Sequence, residues 1–145
     1  KLIEQIFNLT NLALCSESIG ICQSILDKTL EYLTNRDAFG KKIGTFQSIQ
    51  HKCAEIYICI NEVRELIRNA SKNINNKEFS RLVSMSKIKS DLELGKISWI
   101  SHQLHGAIGF TWDYGLHLYT KKILINKSLG GDLSFHSTRL YPDGN

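Results

Sequence analysis

The residue types best suited to chemistry begin at Arg36, in the stretch Arg36-Asp37-Ala38-Phe39-Gly40. An arginine guanidinium is planar and permanently charged, so it holds phosphate groups through paired, charge-assisted hydrogen bonds. Taken alone, however, Arg36 is best explained as a basic residue at the C-terminal end of a helix, where its charge interacts with free carbonyl groups.

Histidine and cysteine offer a second kind of chemistry, and here the pattern argues against a metal. His102 and His105 are spaced to share one helix face, but the neighbouring sequence holds no carboxylate or third ligand. The four cysteines form no Cys-x-x-Cys pair and lie inside apolar, periodic runs, at positions 15, 22, 53 and 59. We therefore predict no metal site, reduced core-filling cysteines and a reducing, cytoplasmic compartment.

Four long helical stretches should position these residues. Apolar side chains recur three and four residues apart, which predicts helices from about Leu2 to Leu33, from an N-cap at Thr45 to about Ala70, from about Lys77 to His105, and from about Asp113 to Ser128. Asn75 and Glu78 resemble a capping box before the third helix, and one short helix is expected after Asp132. Joined by short turns, these helices predict an all-α fold, an up-down four-helix bundle.

Composition narrows the class of protein further. The chain has 145 residues, of which 42% are hydrophobic, and its only proline, Pro142, lies near the end. That suits one domain with a real core and long helices. The net charge is +4, but the basic residues, Lys87 and Lys89 among them, are spread out and are expected on solvated helix faces. Nucleic acid binding would need them clustered, and no apolar run reaches the roughly 18 residues of a membrane span.

The loop after the first helix reads RDAFGKKIGTFQSIQHKCAE, which resembles the signature of the acyl-CoA dehydrogenase family. The positions that match are Arg36, Phe39, Gly40, Ile43, Phe46, Gln47 and the Ala54-Glu55 pair, with Gly20, Leu26-Asp27 and Tyr32 upstream. Downstream, HQLHGAIGFTWDYGLHLYTKK resembles the glycine-rich turn of the family and the acidic start of its next helix. The spacing is kept without gaps from Thr10 to Gly131, nearly the whole chain.

The resemblance implies an FAD-dependent enzyme in which this loop of one subunit reaches across an interface to the flavin of its neighbour. It implies cofactor contacts from two segments, the first with Arg36, Ala38, Phe39, Phe46 and Gln47, the second with Gln103, His105, Gly106 and Ala107. By this resemblance Arg36 would hold the pyrophosphate, while Phe46 and Gln47 would lie along the adenosine or the flavin ring. Gly106 would let the main chain approach the cofactor.

The resemblance also implies a glutamate that removes the proton α to the thioester carbonyl, at one of two alternative positions. Those positions fall on Gly130 and Thr10, and neither is a carboxylate. The arginine that often follows the second position is Asn11 here. Three explanations stay open: a displaced base at Asp132 or Glu17, a base supplied by a partner subunit, or a member that lost dehydrogenation or uses a different acyl carrier.

The family's flavin and acyl-CoA sites also need an N-terminal helical domain and a middle β-domain. We therefore expect residues 1–145 to be the C-terminal domain of a longer three-domain protein. The implied reaction is dehydrogenation of an acyl-CoA or carrier-bound acyl group in fatty acid metabolism, with an electron-transfer flavoprotein or similar acceptor, in a homo- or hetero-oligomer. The C-terminal part resembles bacterial members. The alternatives are a non-catalytic helical subunit that completes a partner's flavin site, and a plain helical interaction module.

Overall fold

A computed structural model describes residues 1–141, so residues 142–145, with Pro142, lie outside the described residues. The predicted all-α bundle is confirmed. Its helices are α1 (Leu2–Asn35), α2 (Gln47–Lys72), α3 (Phe79–His105), α4 (Leu116–Ser128) and α5 (Leu133–Leu140). Two short strands, β1 (Asp37–Ala38) and β2 (Lys41–Lys42), and two 3-10 turns, Ile43–Thr45 and Gly106–Phe110, connect them.

Helices α1 and α3 form the centre of the bundle, and α3 packs against each of the other four helices. The buried positions follow the predicted apolar spacing, for example Cys22, Ile25 and Leu33 on α1. All four cysteines are free, and Cys53 alone is not fully buried. Burial raises the pKa of both Cys15 and Cys22 to about 12, which keeps these thiols protonated as core-filling groups.

The helix starts differ from the prediction in two places. Phe46, not Thr45, is the N-cap of α2, because the Thr45 hydroxyl donates back to the Lys42 carbonyl at 2.7 Å and closes the 3-10 turn. The predicted capping box is also wrong: α3 begins at Phe79, and Glu78 makes no side-chain cap. Phe46 has the extended backbone of an N-cap, but its side chain has no atom that accepts a hydrogen bond. Glu78 has a helical backbone, φ −74° and ψ −11°, which removes the geometry that a side-chain cap requires.

The later elements begin and end near their predicted bounds. Helix α4 starts at Leu116 rather than Asp113, after Gly115 with φ +76°. The short helix expected after Asp132 is α5, and the Asp132 side chain accepts a hydrogen bond from the Phe135 amide as its N-cap. Over residues 1–141, no helix combines the length and the apolar character that crossing a membrane requires.

Candidate functional site

The first of the two predicted cofactor-binding segments forms a short β-hairpin with a two-residue turn. Asp37 pairs with Lys42 and Ala38 with Lys41, so Phe39 and Gly40 form the turn. Both turn residues have positive φ, +54° for Phe39 and +79° for Gly40, which is the type I′ geometry that fits the twist of a hairpin. Phe39 is 94% exposed. A large apolar ring that is held in a left-handed conformation and left almost fully exposed is typical of a contact surface.

Arg36 lies between α1 and the hairpin, as the C-cap of the helix. Its amide donates to Tyr32 O at 2.9 Å, and its carbonyl accepts from the Ile43 amide at 3.0 Å. The backbone is therefore fixed on both sides, while the side chain is exposed. Among the ion pairs of residues 1–141, none involves its guanidinium. Arg36 thus presents an uncommitted, always-charged planar donor to the surroundings.

The second half of the loop forms an aromatic and basic corner. The Lys41 ammonium lies 4.2 Å from the Phe46 ring centroid, and Phe39 meets Phe46 edge-to-face at 6.1 Å. Gly44 lets this corner sit close to α1, because an added Cβ would lie 3.0 Å from Leu33 O. Gln47, the first residue of α2, is exposed beside it. The hairpin residues named by the sequence therefore share one accessible surface.

The second predicted segment is the turn that ends α3. Gln103 and Ala107 are exposed, as is Gly106. Gly106 has φ +62° and ψ −144°, a conformation available essentially to glycine alone. The Gly106 amide donates to Gln103 O, and the absence of a side chain at this exposed position is compatible with the predicted close approach of a ligand.

His105 has a different environment from its neighbours in this segment. It is only 2% exposed, and its ring stacks on Tyr32 with the centroids 4.8 Å apart. Its Nδ1 donates to Ser101 O at 2.7 Å, so Nε2 accepts from the Tyr114 hydroxyl at 2.9 Å. Burial lowers the pKa of His105. Both ring nitrogens of His105 are thus hydrogen-bonded within the protein. A cofactor contact from His105 would have to come from its backbone.

The Tyr32–His105 contact also places the two segments at the same end of the bundle. Tyr32 lies one turn before Arg36 on α1, and His105 is the last residue of α3. Tyr114 completes this aromatic group at 6.2 Å from Tyr32. The sequence did not single out Tyr114, because its partner His105 is nine residues away across a turn that only the fold closes.

Of the two positions that should carry a catalytic glutamate, Gly130 lies against Asn11, the residue that follows the other position, Thr10, in the first half of α1. A Cβ built on Gly130 would be 2.1 Å from Asn11 Oδ1. Asn11 is completely buried, and its Nδ2 donates to Phe7 O at 3.1 Å. Thr10, its neighbour, is exposed. Since Asn11 fills the space and Gly130 has φ +78°, the turn has no room for a side chain at position 130.

The two displaced carboxylates considered as bases both have structural partners. Asp132 caps α5 through the Phe135 amide at 2.8 Å. Glu17 accepts from Asn126 Nδ2 at 2.9 Å and pairs with Lys122 at 3.1 Å. The hydrogen bond from Asn126 lowers the pKa of Glu17, and a carboxylate stabilised as an anion is a weaker proton acceptor.

Buried charged and polar groups lie behind this turn, and the sequence interpretation missed them. Lys87, expected on a solvated face, is 2% exposed and pairs with Asp91 at 2.8 Å. That expectation is wrong because Lys87 points to the C-terminal end of α4, where carbonyls replace water. His136 is fully buried and donates from Nε2 to Gly130 O at 2.9 Å. One sequence pattern could have predicted this buried pair. A lysine and an aspartate lie four residues apart within an apolar stripe of α3, between Val83 and Leu94. Residues 1–141 hold no cluster of three or more His, Cys, Asp or Glu that could bind a metal ion.

Comparison with known proteins gives consistent matches. The family model for the C-terminal domain of acyl-CoA dehydrogenase matches residues 1–139. Acyl-CoA dehydrogenase IpdE2 of Mycobacterium tuberculosis is 32% identical over 111 residues, 75% of this chain and 33% of that protein. The caffeyl-CoA reductase-Etf complex subunit CarC of Acetobacterium woodii is 31% identical over 104 residues, 71% of this chain and 27% of that protein.

Among solved structures, the Tcur3481-Tcur3483 steroid ACAD G363A variant is similar with a TM-score of 0.85 and 28% identity. The match covers 92% of this chain and 37% of that chain. The chain therefore spans about one third of the length of the relatives that it matches.

Proposed function

The chain belongs to the acyl-CoA dehydrogenase family, as its motifs predicted, and on this premise we propose that it is the C-terminal helical part of a longer FAD-dependent enzyme that dehydrogenates an acyl thioester. Its role there is to supply flavin contacts and an oligomer interface. One observation carries this proposal: at the exposed hairpin tip, Phe39 is 94% exposed in a left-handed conformation, and its contact with Phe46 leaves most of the ring uncovered.

The distance between two parts of α1 supports a flavin contact across subunits. Asn11, beside the Gly130 turn, and Arg36, at the hairpin, are 25 residues apart on the same helix, which is about 37 Å at 1.5 Å per residue. A single flavin ring cannot touch both ends. If the turn faces the acyl site of its own subunit, the hairpin serves the flavin of a neighbour.

The residues at the hairpin end fit the chemistry of FAD. The Arg36 guanidinium binds the pyrophosphate, and Phe39 and Phe46 offer aromatic surface beside it, with Lys41 adding positive charge. Gln47 and Gln103 supply neutral donors and acceptors, and the backbone near Gly106 and Ala107 is open to the dinucleotide. FAD, when bound, accepts the hydride that leaves the β-carbon of the acyl group.

The catalytic base, which accepts the proton α to the thioester carbonyl, is not supplied by a glutamate at either of the two family positions. The position on Gly130 is closed by Asn11, and Asp132 and Glu17 have structural hydrogen bonds. We propose that the base comes from outside residues 1–141, either from another part of the same protein or from a second kind of subunit.

A second candidate function follows from that closed position. The chain would be a non-catalytic subunit that completes the flavin site of a partner acyl-CoA dehydrogenase, and the double designation of the Tcur3481-Tcur3483 protein accords with such a pairing. Flavin reduction by butyryl-CoA under anaerobic conditions separates the two functions. Reduction by the purified full-length protein alone supports the enzyme, whereas reduction only after a partner dehydrogenase is added supports the subunit.

The electron acceptor is proposed from the same family relationship. CarC is named as part of a complex with an Etf protein, so we propose an electron-transfer flavoprotein as the acceptor. Flavin absorbance in the full-length protein tests the whole proposal first: a colourless protein, purified and reconstituted with FAD, would reject it.

A further inference from the structure

We propose that Lys87, with Asp91 and His136, forms a buried clamp that positions the turn Leu129–Gly131, and that this turn is a wall of the acyl-binding site. The inference rests on the proposed function, because only in an acyl-CoA dehydrogenase does this turn face an acyl substrate. The three clamp residues are each buried, and all three act on the chain around the turn.

Lys87 holds the helix that leads into the turn. Its ammonium donates to Asp91 Oδ1 at 2.8 Å, to Asn126 O at 3.1 Å and to Lys127 O at 3.3 Å. An ammonium has three protons, so all of its donors have partners. Asn126 and Lys127 belong to the last turn of α4, where carbonyls lack the usual helical partners, although the Asn126 carbonyl also accepts a long hydrogen bond of 3.4 Å from the Leu129 amide. Lys87 therefore supplies from α3 the C-terminal cap of α4.

His136 holds the turn itself. Its Nε2 donates to Gly130 O, so Nδ1 accepts from the Ser84 hydroxyl at 3.1 Å. Gly131 leaves room for this ring, because an added Cβ would lie 3.2 Å from His136 Nε2. Asn11 closes the opposite side of Gly130. The turn is thus fixed by groups on both of its faces, and its two glycines are required by positive φ, +78° and +97°.

The buried pair of Lys87 and Asp91 is not explained by the stability that an ion pair itself contributes. Desolvating two charges is expensive, and apolar replacements of such pairs are often neutral or stabilising. Lys87 and Asp91 are buried on α3, which packs against α1 and α4, together with polar side chains such as those of Ser84, Ser90 and Asn126. What apolar side chains could not provide is the cap on the α4 carbonyls. The cap gives the buried Lys87 charge a role at the end of α4, which leads directly into the turn.

The test compares two double variants of the full-length protein. Lys87→Met with Asp91→Leu removes both buried charges together, so no lone charge is left to unfold the bundle. Lys89→Met with Glu93→Leu is the control, because that pair has the same four-residue spacing on the same helix at 2.8 Å and its further partners, Glu62 and Cys59, lie on α2. Both proteins are examined by hydrogen exchange of backbone amides and by kinetics with butyryl-CoA and palmitoyl-CoA.

For the clamp variant we expect exchange of the amides of residues 129–132 to accelerate by about tenfold while α1 and α2 keep their protection. We expect KM for the acyl-CoA to rise about tenfold and kcat to change less than about twofold, because a displaced wall weakens substrate binding without removing a reacting group. The control should match the wild type in all three measurements. Faster exchange spread over the whole bundle, or an unchanged turn, overturns the clamp.

The two proposals fail in different ways. A wild-type protein that binds no flavin and reacts with neither acyl-CoA contradicts the proposed function, while the exchange result still decides whether Lys87 fixes the turn. A variant with faster exchange at the turn but unchanged KM shows that the turn does not contact substrate, and this outcome rejects the acyl-wall role directly.

Discussion

The amide oxygen of Asn11 occupies the space in which a side chain at residue 130 would begin, 2.1 Å from the Cβ that Gly130 lacks. These residues are 119 positions apart in sequence, and each is the neighbour or the replacement of a position where the family places its catalytic glutamate. The position at Gly130 is thus filled by Asn11, whereas Thr10 is exposed. The chain has replaced a carboxylate with packing, which is why the base is proposed to come from elsewhere.

Replacement of Gly130 should be costly for stability. Gly130→Ala forces a Cβ against buried Asn11 and strains a backbone at φ +78°, so we expect a loss of about 2 kcal/mol or more. Gly20→Ala is the matched control, since α1 has open space around Gly20, and it should gain about 1 kcal/mol. Denaturant unfolding measures both. Asn11→Ala added to Gly130→Ala should recover part of the loss, and equal stability of the two glycine variants would refute the contact.

The two displaced carboxylates should prove dispensable for turnover. Asp132→Asn retains an N-cap for α5, because asparagine caps helices about as well as aspartate, and Glu17→Gln retains the hydrogen bond to Asn126. We expect flavin content unchanged and kcat within about twofold of the wild type for both variants. Anaerobic flavin reduction by an acyl-CoA gives the rate. A loss of about a thousandfold in either variant would identify that residue as the base and correct the proposal.

Phe39 should separate stability from flavin binding. Phe39→Gly relieves the left-handed strain at φ +54° and removes a ring that is 94% exposed in its own chain. The free energy of unfolding should therefore change by less than about 1 kcal/mol, since strain relief offsets the added flexibility of the unfolded chain. Flavin retention through gel filtration should fall. Retention equal to that of the wild type would show that Phe39 contacts no flavin.

Buried histidines predict a loss of stability in mild acid. Burial lowers the pKa of both His105 and His136, so the unfolded chain binds protons that the folded chain refuses. Above about pH 6.5 both histidines are neutral in the folded and the unfolded chain, and stability is not reduced. As pH falls below that value, the free energy of unfolding decreases by up to about 1.4 kcal/mol per pH unit for each histidine. Asp91, whose pKa burial raises, acts in the opposite direction. The free energy of unfolding, measured at several pH values, should depend less steeply on pH in His136→Asn than in His51→Asn. His51 is exposed, so His51→Asn is the control. Equal slopes would contradict the assignment.

The sequence predicted the helices well because long apolar stripes on α1, α2 and α3 leave few alternatives. It also named Arg36, Phe39 and Gln47 as candidate site residues, since they lie within twelve positions of one another and belong to one motif. It could not show the hairpin itself, whose strands of two residues have no periodicity. Lys87 and His136 were missed because their partners, the Asn126 and Gly130 carbonyls, are distant backbone groups. His105 matched a motif, yet its ring is committed to Tyr114, a contact that depends on the turn after α3.

The central claim, that the hairpin completes a flavin site, is tested most directly by Arg36→Ala in the full-length protein, with Arg68→Ala as control because Arg68 is an exposed arginine on α2. The measurement is the ratio of flavin to protein absorbance after gel filtration, together with the thermal midpoint. We expect Arg36→Ala to lose most of its flavin, about tenfold in affinity or more for a charge-assisted phosphate contact. Its thermal midpoint without flavin should be close to that of the wild type, and Arg68→Ala should keep its flavin. Full flavin occupancy in Arg36→Ala would contradict the account.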